Sequence, residues 1–181
     1  MAKALYVEGK PNEWILLIRN GKMVRAGVGL SCFKGPMDQV ARFPSKVNKV
    51  TFMSDQMTQE KQGVKVTGML VWGINRIDDG PMRAFKNLGE DLASDNPRQA
   101  NEHLIELGNA ILRNQIANST LDEIMTNRRK LRNAIRDEMM EVVHGWGVWL
   151  ETVEITEVMI SSNELFKNMQ SEFREEQSRK A

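Results

Sequence analysis

Apolar and polar residues alternate along the first half of the chain and recur at helical spacing along much of the second. The segments WILLIR (from Trp14) and KMVRAGVGLSCF (from Lys22) flank Asn20-Gly21. That dipeptide most readily takes the positive backbone angles of a type I′ turn, so a β-hairpin is predicted there. After a turn at Gly35-Pro36 come two short strand candidates, QVARF from Gln39 and VNKVTFM from Val47, separated by Pro44-Ser45. GVKVTGMLVWGIN, from Gly63, puts Val64, Val66, Leu70, Trp72 and Ile74 on one face, interrupted by Gly68. The other face, with Lys65, Thr67, Met69, Val71 and Asn75, is mixed, as in a central strand that is fully covered on one side only.

From Pro81 the period changes. Asp78, Asp79 and Gly80 suit a helix start, and Met82, Phe85, Leu88 and Leu92 follow at helical spacing. Between Pro97 and about Asn118, Leu104, Ile105, Leu107, Ile111, Leu112 and Ile116 cover nearly half of a helix circumference. Thr120-Leu-Asp-Glu123 is a capping box, in which the Thr hydroxyl takes a first-turn amide. It opens a third helix with the stripe Leu121, Ile124, Leu131, Ile135, Met139 and Val142.

That helix is predicted to run no further than His144, with Gly145 at a left-handed C-cap and Gly147 as a second flexible joint. VWLETVEITEV, from Val148, then has the β-branched composition of a strand that returns to the sheet. Its apolar parity shifts between Leu150 and Val153, which predicts a bulge or an edge position. A second capping box, Ser161-Ser-Asn-Glu164, starts a last helix whose short stripe is Leu165, Phe166, Met169 and Phe173. The fold class is therefore α+β: a mainly antiparallel N-terminal sheet, helices packed on it, a returning strand and a C-terminal exit helix. Residues 1–160 form the domain, and residues 161–181 form the exit helix, suited to the start of a coiled coil.

Composition narrows the function. A chain of 181 residues with 41% hydrophobic side chains can bury one ordinary core. Its 25 basic side chains balance 24 acidic ones, which gives no overall attraction for polyanions, so nucleic acid is not expected as a partner. The single cysteine, Cys32, excludes an internal disulfide framework. No segment approaches the roughly 20 apolar residues of a spanning helix, since WILLI is closed by Arg19. Glu8, Lys10, Asn12 and Glu13 break up any signal-like core at the start.

In order and content, five pieces resemble the SPFH (band 7) domain of stomatins, prohibitins and flotillins, most closely a flotillin-like member. They are PNEWILLIRNG, EKQGVKVTGMLVWGI, LRNQIANSTLDEIMTNRRKLRNAIRDEM, GWGVWLETVEITEV and NELFKNMQSEF. The resemblance implies a non-enzymatic scaffold that self-associates at a membrane surface, peripheral on its cytoplasmic face, and organises lipids or other proteins there. An alternative within the same fold is a soluble, partner-binding or cage-forming module without membrane attachment. Flotillin-like proteins also carry an N-terminal hydrophobic or acylated segment and a long helical C-terminal region, and neither is found in these residues. The chain alone is therefore expected to stay soluble, with membrane binding dependent on an added segment or on acylation of Cys32, beside Phe33.

No constellation of residues points to catalysis. Cys32, His103 and His144 fall on a strand and two different helices with no activating motif, so no catalytic residue, cofactor or metal ligand is assigned. RAGVGLS, from Arg25, lacks the third glycine and the Lys-Ser/Thr of a phosphate loop. The basic run NRRKLR, from Asn127, reads as a solvated face or subunit contact in preference to a polyanion site. Trp146 suits a core anchor, a contact with a neighbouring subunit, or lipid headgroups. Trp146 and Trp149, with Leu165, Phe166, Met169 and Phe173 of the exit helix, are the candidate contacts of a homo-oligomer.

Overall fold

The computed structural model describes residues 5–160 and 174–180. Among the described residues eight strands come in three sheets. β1 (Leu5–Glu8) pairs with β4 (Ser31–Lys34); β2 (Glu13–Arg19) lies between β3 (Lys22–Val28) and β5 (Gln39–Pro44); β7 (Gly63–Ile74) lies between β6 (Asn48–Met57) and β8 (Val148–Ile160). Four α-helices, α1 (Gly80–Leu88), α2 (Arg98–Ala117), α3 (Leu121–Thr126) and α4 (Arg128–Val143), stand between β7 and β8. The fold is α+β. The chain divides into two compact units. One holds the described residues up to Val50 with Val71–Leu104 and Met140–Thr152; the other holds Thr51–Leu70, Ile105–Met139 and the described residues from Val153.

In the first unit the predicted hairpin forms between β2 and β3, with Asn20 at φ 53° and Gly21 at φ 74°. The run WILLI is buried throughout, because β2 is the central strand of its sheet. β1 is a strand that the apolar pattern does not announce: in LYVE only Val7 is buried. Trp72 is buried, and its indole N–H donates to Asn101 Oδ1 of α2 at 2.8 Å, which satisfies the one polar atom of the ring. Asp91, in a 3-10 turn after α1, accepts from Ala100 N at 2.9 Å and so supplies α2 with a carboxylate at its N-terminus.

In the second unit Phe52 of β6 is sealed between two glycines. A Cβ on Gly68 of β7 would come within 2.5 Å of its ring, and one on Gly108 of α2 within 3.0 Å. The interrupting glycine of the β7 pattern is thus the place where an aromatic ring meets the strand. Gln115 of α2 hydrogen-bonds Glu138 of α4, and Arg132 of α4 pairs with Glu154 of β8 at 3.2 Å.

Four expectations are corrected. The third helix is two: Asn127, at φ −128° and ψ 62°, ends α3, and its Oδ1 accepts from Lys130 N at 3.2 Å at the start of α4. The capping bond from Glu123 N to Thr120 Oγ1 does form, at 3.2 Å. The stripe of α4 ends on Val143, fully buried, and not on Val142, which is 41% exposed. The left-handed glycine is Gly147, at φ 75° and ψ 20°, whereas Gly145 sits inside a 3-10 turn, His144–Trp146. Asp79 occupies the N-cap of α1 without a side-chain capping bond.

Among the described residues β8 is an edge strand, and its burial follows the predicted shift of parity, with Val148 and Leu150 buried and then Val153. The second capping box and Leu165, Phe166, Met169 and Phe173 lie outside the described residues. Residues 174–179 are helical and exposed.

Candidate interaction surface

The two-stranded β1–β4 sheet sorts its side chains by strand parity. Val7 lies opposite Cys32 and Tyr6 opposite Phe33. Val7 and Cys32 point inward, into a cluster with Ile15 and Leu17 that Leu30 and Val40 complete. Tyr6 and Phe33 therefore point outward; they are 59% and 68% exposed, with ring centroids 5.2 Å apart. Leu5, before Tyr6, and Met37, in the turn after β4, are also largely exposed. The result is an outward face on which two aromatic rings stand in water; Leu5 has the parity of Val7 and is exposed at the strand end.

An ion pair between a half-exposed arginine and a buried aspartate fixes the turn that follows. Arg19, at the end of β2, makes a bidentate contact with Asp38, Nε to Oδ1 at 2.7 Å and Nη2 to Oδ2 at 3.0 Å, and Gly35 N donates to Oδ2 at 2.9 Å. These hydrogen bonds, first from Arg19 and then from Gly35, hold the Asp38 carboxyl down at about 2, below its ordinary 3.8. The same pairing raises Arg19. Residue spacing alone gives no sign of this pair, which joins a strand end to a turn 19 residues later.

The sequence-derived site residues are separated. Cys32 is 4% exposed, so its thiol would have to leave the cluster before it could be acylated; its neighbour Phe33 lies on the open face. Trp146 is half-buried and lines a pocket of about 240 Å³ with Asn87, Leu88 and His103. Trp149, also half-buried, lines a different pocket of about 170 Å³, with Ile74, Arg76, Ile77 and Glu151 among its walls. His144 Nδ1 faces the buried Asn75 amide at 3.4 Å. Among the described residues neither histidine hydrogen-bonds Cys32, and no group of three or more His, Cys, Asp or Glu is placed to hold a metal. Also among the described residues, no helix is long and apolar enough to cross a membrane.

Residues 7–181 match the family model of the SPFH domain / Band 7 family. The chain belongs to this family. A band 7 family protein of Acanthamoeba polyphaga mimivirus is 29% identical to it over 109 residues, which are 60% of this chain and 32% of the relative. The matched stretch thus spans about a third of that curated relative's length. Membership in the SPFH / Band 7 family points to a scaffold-type domain, and the family is generally without enzymatic activity.

Proposed function

We propose that this chain is a flotillin-like scaffold domain that self-associates at a membrane surface and organises lipids or partner proteins there. The outward face of β1 and β4 is the observation that carries the membrane half of this reading. Tyr6 and Phe33 are aromatic, adjacent and exposed; an amphipathic Tyr ring suits the level of lipid headgroups and an apolar Phe ring the acyl boundary beneath it. Such a face attaches peripherally, on the cytoplasmic side, without a spanning helix. Two rings give weak binding on their own. Copies held together multiply it, because each further contact is made at high effective concentration. The self-association half rests on family membership, with Trp146 and Trp149 as domain contacts and the exit helix over residues 161–181 as the link between copies.

Vesicle flotation of an assembled form tests the reading, comparing the parent with Tyr6→Ser combined with Phe33→Ser. Both side chains lie outside the core, so the variant should keep its melting temperature and lose most of its flotation. Undiminished flotation of a folded variant would remove this face from the membrane contact and favour the soluble, cage-forming alternative or another surface.

A further inference from the structure

In the sheet β3-β2-β5, β3 is an edge, and among the described residues no strand takes its outer side. The six consecutive residues Met23 to Val28 line a groove of about 430 Å³, with Trp14 of β2, Arg76, Asp78 and Pro81 on its other walls. The edge strand β3 thus runs along the groove over its whole later half. The ladder gives the direction of the free groups. Gly29 N donates to Glu13 O at 2.9 Å, so by the alternation of an antiparallel pair, Val28 opposite Trp14 and Ala26 opposite Leu16 turn their N–H and C=O groups away from β2.

At the hairpin end of β3 a second pocket, of about 400 Å³, shares Met23 with the groove and is lined by Lys22, Arg83, Lys86 and Asp79. Groove and pocket together carry five cationic side chains (Lys22, Arg25, Arg76, Arg83, Lys86) against two carboxylates (Asp78, Asp79). The overall charge of +1 gives no hint of this concentration. Arg83 is also unsatisfied: its Nε and Nη2 are shut off from solvent and have no hydrogen-bond partner among the described residues. A guanidinium edge left so costs free energy, and rotation of its long side chain would deliver it to an anion in the pocket.

We propose that the β3 edge is a docking site for an extended acidic segment of a partner protein, which adds a strand along Ala26 and Val28 and places a carboxylate among Lys22, Arg83 and Lys86. Backbone hydrogen bonds supply the alignment, and the charges select the partner. The same charges work against a second copy of β3, since antiparallel pairing about Arg25 sets one guanidinium against another. The proposal is independent of membrane attachment, which uses the opposite kind of surface.

The test uses the whole chain and a fluorescein-labelled ten-residue peptide that alternates valine and glutamate and ends in a free carboxylate. Fluorescence anisotropy should show saturable binding, and a peptide with lysine in place of glutamate should not bind. Arg83→Gln and Arg25→Glu should each raise Kd by about tenfold or more. Ala26→Pro removes only an outward N–H, so the ladder to β2 survives, and binding should be lost. Should that variant fail to fold, the same peptide N-methylated at alternate residues reads strand addition on the unaltered protein, and methylation should abolish binding. Three results would overturn the proposal: no binding by the unaltered chain at millimolar peptide, equal binding of the N-methylated peptide, or Arg83-dependent binding of phosphatidylserine vesicles with the peptide ignored.

Discussion

Replacing Gly147 by alanine acts on the joint through which the returning strand reaches its place. Gly147 follows the 3-10 turn, takes a left-handed conformation at φ 75°, and accepts a hydrogen bond from Asn75 N at 2.8 Å. A Cβ added there would overlap Gly80 O and Ala84 N and would lie 3.0 Å from Ala84 Cα, all of them main-chain atoms of α1 that no rotamer change can move aside. The left-handed backbone costs an alanine about 1–2 kcal/mol, and forcing a methyl into a packed site costs about 1–3 kcal/mol more. The expected loss is therefore roughly 2–5 kcal/mol, which for a chain of this size lowers the melting temperature by about 4–20 °C. Gly145→Ala is the control: nothing lies within 4 Å of its added Cβ and its φ is not left-handed, so stability should stay within about 1 kcal/mol of the parent. Thermal and urea denaturation followed by circular dichroism measure both. If the two variants lost the same stability, or Gly147→Ala lost none, the assignment of the joint to Gly147 would be refuted.

Asp38 gives a pH dependence. Because its folded carboxyl sits at about 2, below the ordinary 3.8, the unfolded chain binds the proton first. Its contribution should be complete above the ordinary value and should disappear as pH falls through that window; Asp38→Asn should flatten that part of a melting-temperature profile, and an unchanged slope would refute the pairing. Cys32 should react with a thiol reagent far more slowly in the folded chain than in denaturant, and equal rates would contradict its place in the core cluster. Thr120→Ala and Asn127→Ala should each cost about 1 kcal/mol in urea unfolding, as the residues at the starts of α3 and α4. A neutral Asn127→Ala would favour one continuous helix.

Local signals made much of the fold legible. Asn20-Gly21 demands its hairpin, and the alternation from Val64 to Trp72 demands a strand buried on one face. The break at Asn127 was hidden because Ile124 and Leu131 are seven residues apart, a spacing that continues a helical stripe whether or not the helix does. Within α4 the buried stripe steps by four residues, Leu131, Ile135, Met139 and then Val143, so Val143 is buried in place of Val142. Both glycines of Gly-Trp-Gly qualify for a left-handed position, and only the close approach of α1 selects Gly147. The site was less legible than the fold. Phe33 entered as the neighbour of Cys32, while Tyr6 owes its place beside Phe33 to a pairing of strands 27 residues apart in register. The Arg19–Asp38 pair, the cationic groove beside β3 and the unsatisfied edge of Arg83 arise from tertiary placement, and the near-zero net charge conceals the last two.

The most direct test of a membrane-surface scaffold compares attachment with and without assembly. The chain alone and the chain fused at its C-terminus to a tetrameric coiled coil would be floated through the same density gradient with phospholipid vesicles. The chain alone should remain in the dense fractions, because one Tyr6–Phe33 face binds weakly. The tetramer should rise with the vesicles, and Tyr6→Ser with Phe33→Ser should return it to the bottom. A tetramer that stays with the dense fractions, or one that floats equally well without the two rings, would contradict attachment through this face.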